Sequence, residues 1–194
     1  MTDETADIRL AAKGDREAFD RLVLRHQHAV VSAATYYLGD YEDAVDVAQE
    51  AFFKAYRGLS RFRGRSSFKT WILRIALNTA RSMRAHRRAT KRGGKVTHLS
   101  PGSRDTSDNP TVDIEDPDVS SQPATLLERK EVKEAIEKSI AELDAESREI
   151  IVLRDISGES YEAIATELGV PIGTVKSRVH RARLELRQKM ARFF

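Results

Sequence analysis

The chain has 194 residues, with 33 Lys plus Arg against 30 Asp plus Glu and no cysteine. This length suits one or two small domains, and the missing cysteine excludes disulfides, thiolate metal sites and cysteine nucleophiles. The polar, acidic start from Met1 to Asp7 does not read as a signal peptide, and no apolar run approaches a bilayer span. A soluble cytoplasmic protein with no membrane insertion is therefore expected.

The net charge of +3 hides strong segregation. From Ala51 to Arg104 there is no Asp or Glu, while Lys and Arg recur throughout. A block of one sign is an electrostatic footprint for a polyanion, whereas ordinary solvated faces interleave both signs. Nucleic acid is the polyanion this block suggests.

Taken in chain order, the pattern predicts helices almost throughout. Asp15 suits an N-cap, and Phe19, Leu22, Val23, His26, Val30 and Ala33 follow at helical spacing up to Leu38 and Gly39. A second helix is predicted from Tyr41 to Gly58, with Ala44, Val47, Ala48, Ala51, Phe52 and Ala55 as its apolar stripe. Ser67 then caps a long helix carrying Phe68, Trp71, Ile72, Ile75, Ala76 and Thr79. These helices make a compact N-terminal bundle over residues 1–95. Residues 96–125 hold four of the five prolines and a run of acids from Asp105 to Asp118, which predicts a flexible acidic linker. Helical periodicity returns at Leu126 and gives a second helical domain over 126–194. The fold class is all-α, two small domains on a tether.

The second domain holds Ser160-Tyr-Glu-Ala-Ile-Ala-Thr-Glu-Leu-Gly169-Val-Pro-Ile-Gly-Thr-Val-Lys-Ser-Arg-Val-His-Arg-Ala-Arg183. The pattern predicts two short helices joined by a tight turn, a helix-turn-helix. Ile164, Leu168, Val170, Val175 and Val179 can lock the pair together, and Gly169 suits a turn needing positive φ. Pro171 suits the first turn of the second helix. Thr174, Lys176, Ser177, His180, Arg181 and Arg183 then project outward. Such a helix enters the major groove and reads base edges and phosphates.

Two features of the first domain carry chemistry. Asp43, Asp46, Gln49 and Glu50 recur at three or four residues and share a helix face, which suits either plain solvation or docking. From Phe62 to Arg81, aromatics interleave with Arg and Lys, the composition of a surface that stacks exposed bases and grips their backbone. Trp71 fits either that role or the bundle core, and Asn78 lies one helix face away.

Asp46-Val-Ala-Gln-Glu-Ala-Phe-Phe-Lys-Ala-Tyr56, Phe62-Arg-Gly to Trp71, Ser160-Tyr-Glu to Ala165, and Val170-Pro to Arg178 together resemble the bacterial RNA polymerase sigma factors. Within them the chain is most similar to the extracytoplasmic-function, sigma-E-like group. The resemblance covers both domains in order. It implies a non-enzymatic subunit that binds core RNA polymerase, directs it to promoters and promotes opening of the DNA.

The resemblance assigns polymerase docking to Asp43, Asp46, Gln49, Glu50 and Phe52. It assigns −10 recognition, with capture of a base outside the stack, to Phe62, Arg63, Ser66, Trp71, Arg74 and Asn78. It assigns −35 recognition as duplex to Thr174, Lys176, Ser177, His180 and Arg181. Two positions depart from the family pattern. Lys176 stands where sigma-E-like members usually have Arg, and His180 where they often have an aromatic residue. The linker is expected to thread the polymerase's RNA path, and an anti-sigma factor is expected as a further partner.

Two other functions compete with this one. A stand-alone helix-turn-helix regulator would share the reader but need no polymerase docking. An enzyme would need a catalytic cluster, but His26 and His28 point apart on a helix. Gly93-Gly94-Lys95 lacks the first glycine and the following Ser or Thr of a phosphate loop. No metal site, cofactor or catalytic residue is expected.

Overall fold

A computed structural model describes residues 3–91 and 123–193. Most of the expected acidic linker and Gly93-Gly94-Lys95 lie outside the described residues. Among the described residues all regular structure is helical, and no helix is long and apolar enough to cross a membrane.

The first half contains α1 (Glu4–Ala11), α2 (Arg16–Leu38), α3 (Tyr41–Gly58), a 3₁₀ turn (Leu59–Arg61) and α4 (Phe68–Lys91). Local chemistry sets the boundaries. The Asp15 carboxylate accepts the N–H of Ala18 at 3.0 Å and the Asp40 carboxylate that of Asp43 at 2.9 Å. The Ser67 hydroxyl accepts the N–H of Thr70 at 3.0 Å. Each such cap satisfies a donor the helix leaves open, and contributes about 1 kcal/mol. Gly39 ends α2 at φ +77°, a conformation cheap only for glycine.

α2, α3 and α4 pack on one another. Leu22, Val30, Val47, Ala51, Phe68, Ile72 and Leu77 fill the space between them. Burial of each large apolar side chain stabilises the bundle by roughly 1.5–3 kcal/mol. The shorter α1 is held to α2 by charge, with Asp7 2.8 Å from Arg21 and Glu4 3.6 Å from Arg25.

The second half contains α5 (Pro123–Ala141), α6 (Ala145–Ile151), a π-helical turn (Val152–Ile156), α7 (Tyr161–Leu168) and α8 (Ile172–Met190). α5 begins at Pro123, three residues ahead of the expected helical start. Proline is well placed there, because a first-turn N–H has no intrahelical acceptor. The Ser160 hydroxyl caps α7 at 3.0 Å, and Gly169 closes it at φ +66°. Pro171 precedes α8 as its cap residue rather than lying inside its first turn. Ile164, Val175 and Val179 are buried where α7 and α8 cross, and Leu168 and Val170 are half-buried at the rim.

The two halves share one continuous apolar cluster. α2 packs against α5 and the π-helical turn, and α4 against α7. Sequence periodicity predicted two bundles on a tether, and their packing against each other is a feature that periodicity does not encode.

Candidate nucleic-acid and polymerase interfaces

On α8 the buried residues Val175, Val179 and Ala182 define the inward stripe. The opposite stripe is Lys176, Ser177, His180 and Arg181, all exposed, with exposed Ile172 and Leu184 at its two ends. Thr174 is half-buried and its carbonyl accepts the Ser177 hydroxyl at 2.9 Å. Arg183 is exposed but engaged: its Nε donates to Asp155 at 3.0 Å, and this carboxylate raises the guanidinium pKa. Arg178 lies 3.8 Å from Glu146. The free face of α8 is thus narrower than the basic content of the helix suggests.

On α3, Asp46, Gln49 and Glu50 are exposed along one face. Two residues assigned to docking are not on it. Phe52 is only 8% exposed and packs edge-on against Phe19, with ring centroids 6.5 Å apart. Asp43 is also buried and paired with Arg87 on α4. Burial raises the Asp43 pKa, against the opposing pull of Arg87. Phe53, one residue on, is 56% exposed and has the Arg57 guanidinium 5.6 Å above its ring. A step of one residue turns a helix by about 100°, so the inward stripe of alanines fixes Phe52 as the inner residue of the pair.

Phe68 and Trp71 of α4 form an aromatic cluster with Phe62, which follows the 3₁₀ turn. Phe62 and Trp71 are 5.0 Å apart and Phe68 and Trp71 5.8 Å. Trp71 is half-buried. One side packs on this cluster, and the other lines an open pocket of about 430 Å³ with Lys54, Arg61, Asn78 and Thr79. Arg63 and Asn78 are exposed.

The remaining −10 candidates are engaged by the second half of the chain. Ser66 donates to Glu167 at 2.7 Å, and Arg74 donates to the Glu167 carboxylate at 3.0 Å and to its backbone carbonyl. Lys69 reaches Glu159 at 3.1 Å and the Ser157 carbonyl at 2.6 Å. Thr70 also donates to Glu159, and Arg81 pairs with Glu149. No sequence pattern pointed to Glu149, Glu159 and Glu167, because their partners lie more than sixty residues earlier in the chain.

Sigma-70 region 2 matches residues 22–92, and Sigma-70 region 4 matches residues 133–186. The RNA polymerase sigma-H factor of Pseudomonas aeruginosa is 40% identical over 171 residues, 88% of this chain and 85% of the relative. The ECF RNA polymerase sigma-E factor of Escherichia coli is 36% identical over 190 residues, 98% of this chain and 95% of the relative. The chain belongs to the extracytoplasmic-function sigma factors.

As a sigma factor it is a non-enzymatic initiation subunit that directs RNA polymerase to promoters. Matches to both regions rule out the stand-alone regulator, which would carry the reader without region 2. Two solved structures share the fold across both halves. CnrH in complex with the cytosolic domain of CnrY has a TM-score of 0.65 at 28% identity, covering 95% of each chain. The sigma factor RpoE in complex with the anti-sigma factor NepR from Bartonella quintana has a TM-score of 0.61 at 27% identity, covering 89% of this chain and 96% of its own.

Proposed function

We propose that three surfaces divide the work of this sigma factor. Asp46, Gln49 and Glu50 dock the chain on core polymerase. Phe62, Arg63, Ser66, Trp71, Arg74 and Asn78 hold the −10 element as a single strand. Thr174, Lys176, Ser177, His180 and Arg181 read the −35 element as duplex. The working units are residues 1–95 and 126–194, with 96–125 between them, and the protein acts in the cytoplasm with the polymerase.

The observation that carries the −10 assignment is the open face of Trp71. A tryptophan packed on one side and open on the other, beside an exposed amide and several cations, offers an extruded base a stacking partner and a polar edge. The acid-free composition of the surrounding helix attracts the phosphates on either side of that base. On α8, four exposed polar or basic side chains within six residues suit groove readout.

Trp71→Ala with core polymerase is the decisive experiment. Promoter opening, read by permanganate reactivity of unpaired thymines, should fall far more than closed-complex formation read by footprinting. Equal loss at both stages would mean that Trp71 is only part of the bundle core. An anti-sigma factor is proposed as a second partner, supported by the likeness to RpoE, whose solved structure holds one. Co-purification of the chain with a protein that blocks its binding to core polymerase tests that partner.

A further inference from the structure

Of the side chains proposed to grip the −10 strand, Arg74 and Ser66 are already bound to a carboxylate while Arg63 is exposed, and the neighbouring Lys69 and Thr70 are bound in the same way. Arg74 and Ser66 hold Glu167, and Lys69 and Thr70 hold Glu159. These acids belong to the support of the helix-turn-helix. Glu167 is on α7 and Glu159 precedes its cap residue. Glu159 is 7% exposed and the Glu167 side chain 11%, so both are enclosed by the contact rather than resting on a surface. A slot of about 170 Å³ remains beside Arg74 and Asn78, against about 430 Å³ on the open side of Trp71.

The acids contact one DNA-facing surface and leave the other uncovered. The α8 stripe of Lys176, Ser177, His180 and Arg181 is exposed in the same arrangement. A base can reach Trp71 while the backbone clamps beside it are taken.

We propose that Glu159 and Glu167 occupy the places of strand phosphates, so that the packed chain can read −35 duplex but cannot hold −10 single strand. This rests on the assignment of Arg74, Ser66 and Trp71 to the −10 strand. The same donors serve both partners, so strand binding and domain packing exclude each other. By linkage, whatever separates the halves strengthens strand binding by the same factor that strand binding weakens the packing. Ion pairs suit such a switch, because a phosphate can replace a carboxylate on Arg or Lys without leaving a buried charge unpaired. The order of promoter engagement follows: −35 contact precedes release of the −10 surface.

The test uses the full chain without polymerase. The absence of cysteine lets Leu24→Cys and Arg187→Cys carry a pair of fluorophores, one on each half, both at exposed positions. Binding of a −10 single-stranded oligonucleotide and of a −35 duplex is measured for the wild type and for Glu159→Gln/Glu167→Gln. The double variant should bind the strand about tenfold more tightly or better, within the usual range of such couplings, with duplex binding unchanged. Added strand should increase label separation in the wild type.

If Glu159→Gln proves poorly folded by its helical melting curve, Glu167→Gln alone should give a smaller shift in the same direction. Strand binding to the wild type with no change in separation overturns the proposal. So does separation of the halves in the variant with no gain in strand affinity, provided Arg74→Ala still impairs promoter opening with core polymerase. If Arg74→Ala leaves opening intact, the −10 assignment itself has failed.

Discussion

The Arg148 guanidinium of α6 lies over the ring of Tyr37 on α2, 5.1 Å from its centroid, and so brings a cation of one half onto an aromatic of the other. Arg148 is 2% exposed. Its Nε donates to the Ile140 carbonyl at 2.9 Å, and Nη2 donates to those of Ala141 and Leu143 at 2.6 Å each. These carbonyls are at the C-terminal end of α5, where the helix dipole is negative. Arg84 joins them from the other half, donating to Ala141 at 2.7 Å and to Tyr37 at 3.3 Å. Burial and the neighbouring Arg84 pull the Arg148 pKa down to about 10, so it stays charged at neutral pH.

Arg148→Met keeps an unbranched apolar stem and removes the guanidinium donors. The carbonyls then lose a charged partner in a buried setting, which costs about 3 kcal/mol. Urea unfolding should show that loss as a lower midpoint. A change below about 0.5 kcal/mol would mean that water replaces the guanidinium at no cost.

Phe52 and Phe53 are adjacent and should behave oppositely. Phe52→Ala empties a buried site beside Phe19 and should lower stability by about 3 kcal/mol. Phe53→Ala removes a largely exposed ring and should change stability by less than about 0.5 kcal/mol. If the outer face of α3 docks on polymerase, Phe53→Ala should nevertheless weaken core binding, measured by competition against a labelled wild-type chain. Unchanged core affinity would confine docking to the polar residues Asp46, Gln49 and Glu50.

The contrast between those two rings shows what the sequence makes legible. Helical spacing gave α3 its limits, Tyr41 and Gly58, and its buried stripe, because both follow from local period and caps. It also placed Lys176, Ser177, His180, Arg181 and Arg183 on the exposed side of α8, since Val175 and Val179 fix the opposite face, whereas Thr174, expected outward with them, is half-buried. Reading Phe52 as a contact residue instead followed family position and overrode the stripe to which Phe52 itself belongs. The pairs Arg74–Glu167 and Lys69–Glu159 were beyond reach for a different reason. Each joins residues about ninety positions apart, and neither carboxylate has a local pattern that distinguishes it from a solvated one.

His26 gives a pH dependence with a definite sign. It is 6% exposed, stacked near Phe68 with ring centroids 5.3 Å apart, and its Nε2 is 3.4 Å from Glu4. Burial lowers its pKa from 6.5. Glu4 opposes that shift, while Arg25 and Lys69 add to it. The unfolded chain therefore takes up the proton first as pH falls. The stabilisation from neutral, buried His26 is complete above the unfolded value and is lost as pH falls through the folded one. Unfolding free energy should fall between pH 7 and pH 5, and His26→Leu should flatten that part of the profile. An unaltered slope in His26→Leu would assign it to other groups.

Arg181 and Arg183 are both exposed on α8, but among the described residues only Arg183 has its charge held by a carboxylate, that of Asp155. Each phosphate contact released from counterions contributes about 0.9 to the slope of log affinity against log salt. Arg181→Ala should therefore lower the slope for −35 duplex by about one unit and weaken binding across sequences. Arg183→Ala should leave the slope nearly unchanged, because its guanidinium already neutralises a carboxylate. It should cost up to about 1 kcal/mol of stability, since this pair is partly exposed and screened by solvent. Asp155→Ala completes the set. It releases Arg183 to the groove and should raise the slope towards one additional contact. A large slope change in Arg183→Ala with none in Arg181→Ala would reverse the assignment and show that DNA displaces Asp155 when the helix docks.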